Sequence, residues 1–382
     1  MGYLHVEIIT EQLSKKVDKP CGDVTETERD KTSTIHFLCD GVGSGIKANI
    51  PATMAAARLK EMLRNGFTLR KSFSSLVSTM EDARKNDKPC AFFSAARILN
   101  DGIATILTYE MPGVIFISNG YAAPLKSIPQ TGFEGIVSES NCSLKIGEGI
   151  LLVSDGITQA GMGKGITNGW GIDGLNKFIN KELRAGTKIK ELPKQILNEA
   201  KRLWQYVPAD DLTVSLLFCR KGRVVNLLTG PPENSENDAQ VINHFLRTDG
   251  LKIICGATTA KIAARVLKTE LSIEQEYGGF ITPPNYEIDG IDLVTEGAIT
   301  LNQLYNVWGE DFKKLDKNNP VTVLVALLNI ADRINFFIGK AKNPAEGDIS
   351  FKQIGILTRE KILPLIIEKF RADGKLVDVE EF

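Results

Sequence analysis

Short runs of apolar and β-branched residues dominate the first 220 positions of the chain. Leu4 to Thr10, Thr34 to Cys39, Ala91 to Leu99, Ile103 to Tyr109, Val114 to Ser118, Ile150 to Ser154 and Leu212 to Cys219 each have the length and composition of a strand. Between the second and third runs the apolar period lengthens to that of a helix. It predicts helices over Ile50 to Arg64, stopped by Gly66, and over Leu69 to Arg84. A second helical pair, near Gly174 to Leu183 and Ile189 to Trp204, precedes the last run. Strands in succession with helices inserted as pairs predict antiparallel sheets covered by helices, not alternating βα units.

After Cys219 the rhythm changes at the turn Lys221-Gly222. Strand Val224 to Leu228 leads to a helix at Asp238 to Leu246, and strand Leu251 to Cys255 to a helix at Thr259 to Lys268. Strand Ile291 to Val294 precedes helix Leu301 to Val307, strand Ile334 to Ile338 follows helix Pro320 to Ala331, and a last helix covers Arg359 to Arg371. Alternating β and α elements predict a smaller α/β domain with a mostly parallel sheet. The chain therefore reads as α+β in two parts, 1–220 and 221–382. Its 382 residues also exceed one ordinary core.

A net charge of −1 gives no general attraction to nucleic acid or to a membrane, and is compatible with a homodimer. The start MGYLHVEIIT lacks the basic, apolar form of a secretion signal. The longest apolar stretch, Val321 to Ala331, has about half the ~20 residues needed to span a bilayer. Six scattered cysteines (21, 39, 90, 142, 219, 255), with no C-x-x-C pair, argue against a zinc site or a disulfide framework. The expectation is a cytoplasmic protein with reduced thiols.

Chemistry concentrates at strand ends. Phe37-Leu38-Cys39-Asp40-Gly41-Val42-Gly43-Ser44-Gly45 is a strand entering an acidic, glycine-rich turn; Leu151-Leu152-Val153-Ser154-Asp155-Gly156 repeats the form. Asp210-Asp211 opens the last strand of the first part. Carboxylates gathered there would repel one another unless cations neutralise them. Hard oxygen donors suit magnesium or manganese, and glycine after the aspartate would let a backbone carbonyl approach the ion. Taken singly, each has a plainer reading: Asp-Gly as a turn, Asp210 as a strand-start cap, Asp23 as a Gly-Asp turn. Likewise Asn119-Gly120 reads as a hairpin turn, and Ser44 as a helix cap as readily as a substrate contact.

Six segments in order carry a resemblance: Cys21-Gly22-Asp23; Asp40 to Gly45; Ala91-Phe92-Phe93-Ser94-Ala95; Ser118-Asn119-Gly120-Tyr121-Ala122-Ala123-Pro124-Leu125; Gly147-Glu148-Gly149 leading to Ser154-Asp155-Gly156; and Asp210-Asp211-Leu212-Thr213. With them the first part resembles metal-dependent protein phosphatases of the protein phosphatase 2C type, in the bacterial branch named after stage II sporulation protein E. The resemblance implies a four-layer αββα sandwich and two Mn2+ or Mg2+ ions that activate a water. It implies that Asp40 bridges the metals and that the Gly41 carbonyl binds one of them. Asp155 and Asp210 complete one shell, Asp23 serves the other, and Asp211 supports a ligand water or an additional metal. Asp40, Asp155 and Asp210 are then the catalytic set. The implied reaction is hydrolysis of phosphoserine or phosphothreonine on a bacterial regulatory protein such as an anti-sigma-factor antagonist. His36, in mid-strand, gives no basis for a general acid, Gly120-Tyr121-Ala122 departs from the family's usual Gly-His-Pro, and no arginine stands out as a phosphate clamp.

In the second part, Cys255-Gly256-Ala257-Thr258-Thr259 and Thr295-Glu296-Gly297-Ala298-Ile299-Thr300 each place glycine and threonine between a strand and a helix start. Such starts favour a small anionic ligand, or hold threonine as an ordinary cap. Gly230-Pro231-Pro232 and Thr282-Pro283-Pro284 read as rigid loops. A regulatory, ligand-sensing role for 221–382 follows as an expectation. The rival functions are a scaffold with the phosphatase fold and little turnover, or a phosphatase of small phosphate esters.

Overall fold

The computed structural model describes residues 2–16, 18–275, 285–310, 319–341 and 355–382. They form two compact units, Leu4–Lys221 and Gly222–Phe382 with the first three residues. The loop at Thr282-Pro283-Pro284 lies outside the described residues.

In the first unit, strands β1 (Leu4–Leu13), β2 (Asp23–Arg29) and β3 (Ser33–Gly41) precede helices α1 (Ile46–Arg64) and α2 (Leu69–Lys85). Then come β4 (Ala91–Leu99), β5 (Ile103–Tyr109), β6 (Ile115–Ser118), β7 (Tyr121–Pro124), β8 (Ser127–Pro129), β9 (Val137–Ser143) and β10 (Gly149–Val153). Helices α3 (Asp155–Thr158), α4 (Gly171–Arg184) and α5 (Leu192–Leu203) lead to β11 (Leu212–Lys221). Two antiparallel sheets result, ordered β1-β11-β10-β6-β7 and β2-β3-β4-β5-β9-β8.

Alternation along the strands builds three apolar layers. In β3, Ile35, Phe37 and Cys39 pack under α1 and α2 with Phe73, Leu76 and Phe93, whereas Leu38 faces Ile98, Ile106, Ile150 and Leu217. In β10, Leu151 and Val153 turn to Leu175, Ile179 and Ile196 of α4 and α5, while Ile150 and Leu152 turn to the facing sheet. Both faces of the central strands are thus buried, so they read as continuous apolar runs. The layers run helix pair, sheet, sheet, helix pair: the expected αββα sandwich. Asn119-Gly120 is the two-residue turn of the β6–β7 hairpin, with Ser118 opposite Tyr121 and Gly120 at φ 104°.

The expected start of the first helix at Ile50 is corrected. α1 begins at Ile46 and carries Pro51 inside it. Its N-cap is Gly45, with no side-chain cap, so Ser44 does not cap it.

The second unit holds β12 (Val224–Thr229), α6 (Asp238–Arg247), β13 (Leu251–Cys255), α7 (Ala257–Leu267), β14 (Ser272–Gln275), β15 (Asn285–Glu287), β16 (Leu293–Thr295), α8 (Ala298–Val307), α9 (Pro320–Ile330), β17 (Arg333–Ile338), α10 (Arg359–Ala372) and β18 (Leu376–Glu381). The sheet order is β14-β15-β16-β13-β12-β17-β18, with the last five strands parallel and β15 antiparallel at one side. Adjacent residues again serve opposite faces. Leu227, Ile253 and Phe336 pack with α8, α9 and α10, and Leu228, Ile254 and Phe337 with α6 and α7. The order of the parallel strands reverses between β12 and β17, the kind of place where open α/β sheets bind ligands. Helices α7 and α8 have Gly256 and Gly297 as their N-cap residues, with no side-chain cap, so the threonines there do not act as caps.

Candidate functional site

The chemistry-bearing aspartates enter at one end of the sandwich from both sheets. In the register of β2 with β3, Asp23 stands directly opposite Asp40. From the other sheet, Ser154 ends the pairing of β10 with β11, its N–H donating to the Thr213 carbonyl at 3.0 Å. This puts Asp155 at the first position of α3 beside Asp210 and Asp211 at the start of β11. The Thr213 hydroxyl donates across the sandwich to Asp23 Oδ2 at 2.6 Å, joining the two sheets at this end.

Each carboxylate has a distinct setting. Both oxygens of Asp211 accept backbone N–H groups, from Lys15 at 2.6 Å and Gly22 at 2.7 Å, so Asp211 pins the loop leading to Asp23. Gln159, one turn beyond Asp155 on the chain, donates to Asp155 Oδ2 at 2.8 Å, while Asp155 Oδ1 is buried with no hydrogen-bond partner. The Asp211 N–H donates to Asp210 Oδ1 at 2.9 Å. Burial, then the charges of Asp23, Asp155 and Asp210, hold Asp40 well above the usual carboxylate range. Burial also raises Asp155 and Asp210, and Asp23 despite the hydroxyls of Thr213 and Ser154. Such carboxylates are short of positive charge.

Packing alone already requires the glycines after Asp40 and Asp155. A Cβ on Gly41 would overlap the carbonyl oxygen of Ala48 in α1, and one on Gly156 would overlap the carbonyl oxygen of Asp211. Gly22 is equally hemmed, with Asp211 Oδ2 2.8 Å from where its Cβ would stand.

As they stand, no three His, Cys, Asp or Glu side chains among the described residues form a group that could hold a metal ion. The six predicted residues reach one end of the sandwich, within electrostatic range, without closing into a ligand shell. The donor set nevertheless fits a divalent cation: an orphaned Asp155 oxygen, and Asp40 among three acids whose repulsion a hard cation would relieve. Sequence reasoning missed Gln159 and the basic loop of Lys15, Lys16 and Lys19, and gave Thr213, though within a quoted segment, no role. The signals were present, as Gln159 lies four residues after Asp155 and the lysines form a short basic run.

His36 is wholly buried, and its Nδ1 lies 2.9 Å from the Thr27 hydroxyl. Burial, aided by the charge of Arg29, lowers its pKa to about 4, so it is neutral at pH 7 and offers no proton to a leaving group. Its folded pKa lies below the unfolded value of about 6.5, so the unfolded chain binds more protons between the two. The contribution to stability is full above pH 6.5 and is lost as the pH falls toward 4. Between pH 7.5 and pH 5, wild type should lose about 2 kcal/mol more than His36→Gln in urea unfolding. Parallel losses in the two proteins would show that the ring is protonated in the fold.

The sequence pattern of stage II sporulation protein E (SpoIIE) matches residues 30–220, half of the chain. The chain belongs to this family. Among solved structures, the family member resembles the RsbU and RsbW domains of a Mycobacterium tuberculosis protein, at 16% identity over 64% of this chain and 68% of that one, TM-score 0.49. It also resembles the phosphatase domain with a regulatory fragment of SpoIIE from Bacillus subtilis, at 15% identity over 58% and 63% of the two chains, TM-score 0.49. A third is the S. agalactiae serine/threonine phosphatase, at 15% identity over 56% and 99%, TM-score 0.42. The match spans less than two thirds of the Bacillus subtilis chain. A search of curated proteins returns no match.

Proposed function

We propose that this SpoIIE-family chain is a metal-dependent serine/threonine protein phosphatase acting on a phosphorylated regulatory protein. The observation that carries the reading is the meeting of Asp40, Asp155 and Asp210 from two sheets at one half-buried end of the sandwich that lacks compensating positive charge. Asp23, Asp40, Asp155 and Asp210 would hold Mn2+ or Mg2+, with the Gly41 carbonyl as a further donor. When bound, such ions supply Lewis acidity and bring the pKa of water down toward about 7. The chain's own residues do the positioning. Gln159 fixes the Asp155 carboxylate, Thr213 fixes Asp23, and Asp211 anchors the Lys15 and Gly22 backbone around the centre. The ammonium of Lys15, whose charge is felt at Asp210, would draw in a phosphate dianion.

Six free cysteines support a reducing, cytoplasmic setting. Among the described residues no helix is long and apolar enough to cross a membrane. The reversal of strand order between β12 and β17 supports a ligand-sensing role for residues 222–382.

The test is hydrolysis by the full chain in Mn2+, comparing phosphoserine peptides with p-nitrophenyl phosphate and small sugar phosphates. Peptides should be preferred in kcat/KM over the sugar phosphates by about tenfold or more. Preference for a sugar phosphate would move the assignment to small esters, and no turnover of any substrate would leave a scaffold.

A further inference from the structure

Helix α1 is built inside out. The face it lays on the sheet is made of small residues, Ala48, Ala52, Ala55 and Ala56, with Leu59 at the far end. Three bulky apolar residues in its first half point the other way. Ile46 is 62% exposed, Ile50 53% and Met54 64%, and Val42, just ahead of the helix, is 47% exposed. These four positions are spaced by four residues each, so on the helix Ile46, Ile50 and Met54 form one stripe about 12 Å long. Close packing accounts for the small face, since the helix lies so near β3 that the carbonyl of Ala48 stands where a Cβ on Gly41 would be. It does not explain three large apolar groups in a row facing water, which is the mark of a contact surface.

The stripe is tied to the candidate centre at one end. Val42 is two residues from Asp40, and α1 starts a few residues after Gly41. Its near end is flanked by exposed lysines: Lys47 on α1 itself, Lys19, whose side chain lies 3.2 Å from where a Gly45 Cβ would stand, and Lys15, whose backbone N–H binds Asp211. An apolar track that begins among lysines beside an acidic, cation-requiring centre complements one kind of occupant. That occupant carries a phosphate at one end and an apolar face beyond it.

We infer that the exposed face of α1 is the docking track for the phosphoprotein substrate, which lays an amphipathic helical segment along Ile46, Ile50 and Met54 while its phosphorylated residue reaches the aspartates. The inference rests on the phosphoprotein reading above. The occupant's apolar residues would recur at three- and four-residue spacing to match the stripe.

The experiment uses the full chain in Mn2+ and three probes. One is a phosphoserine peptide with three leucines at four-residue spacing, the second has the same composition with the leucines scattered, and the third is p-nitrophenyl phosphate. The variant Ile50→Glu/Met54→Glu changes only exposed side chains. Wild type should favour the first peptide over the second by about tenfold in kcat/KM, and the variant should lose that preference while hydrolysing the small ester at the wild-type rate. Equal use of the two peptides by wild type, or an equal loss on all three probes in the variant, overturns the docking track. Fluorescence anisotropy with the same peptides separates this from failure of the enzymatic reading. Stripe-dependent binding without turnover of any probe would sink the phosphatase assignment and keep the track, and no binding would sink the track. A wild-type dimer that the variant converts to monomers, with both peptides used alike, would make the stripe a self-interface and overturn the inference.

Discussion

Replacing Asp40 with Asn is expected to abolish Mn2+-dependent phosphate release and, in the metal-free protein, to raise the melting temperature. The two effects have one cause. Asp40 is half-buried at the end of β3; loss of water around it, then the charges of Asp23, Asp155 and Asp210, hold its proton affinity well above normal. Without cations, that carboxylate is a liability to the fold, and a neutral amide of the same shape relieves it. On the proposed function, the same carboxylate would be the central donor to the cations. Its loss should lower kcat/KM by about 10³-fold, beyond the ~10–100-fold cost of removing an outer-shell partner. Stability gained where activity is lost is the signature of a functional site that strains its surroundings. Steady-state hydrolysis and thermal unfolding in chelator test both halves. A variant that is inactive because it has unfolded, or one that stays active, contradicts this role for Asp40.

The second large effect belongs to Gly41. A methyl group there would overlap the Ala48 carbonyl, and the obstruction is backbone with no side chain able to turn aside. Gly41→Ala must therefore push α1 off β3, under which Ala52, Ala55 and Leu59 are packed. The expected cost is about 3 kcal/mol or more, in the range of overpacked cores. Gly43, two residues on, is the control. It has φ 120° and nothing within 4 Å of the place a methyl group would take, so Gly43→Ala should cost backbone strain alone, about 1–2 kcal/mol. Denaturation midpoints of the two variants decide the matter. Equal losses would mean that α1 does not press on Gly41.

These residues also show how far the sequence could be read. The strands of the αββα core were legible because both of their faces are buried, so Phe37-Leu38-Cys39 or Leu151-Leu152-Val153 leaves a dense apolar signature. The unread strands lie at or next to sheet edges. β2, with the sequence DVTETER, and β18, with LVDVEE, are edge strands whose charged, partly exposed positions hide the alternation. β9, with the sequence VSESNCS, is next to an edge and just as polar. Missing β2 mattered for the site, because its pairing with β3 is what brings Asp23 opposite Asp40. The aspartates themselves were readable as acids at strand ends. Their division of labour was not. Only contacts between distant residues reveal that Asp211 spends both oxygens on the Lys15 and Gly22 backbone while Asp155 keeps one oxygen unpartnered.

Manganese binding to the wild-type chain, counted by anomalous diffraction from crystals grown in Mn2+, is the most direct check on the central claim. Two manganese peaks are expected among Asp23, Asp40, Asp155 and Asp210, with the Asp155 oxygen that lacks a hydrogen bond turned to one of them. Ordered crystals showing these carboxylates with no manganese between them would contradict it.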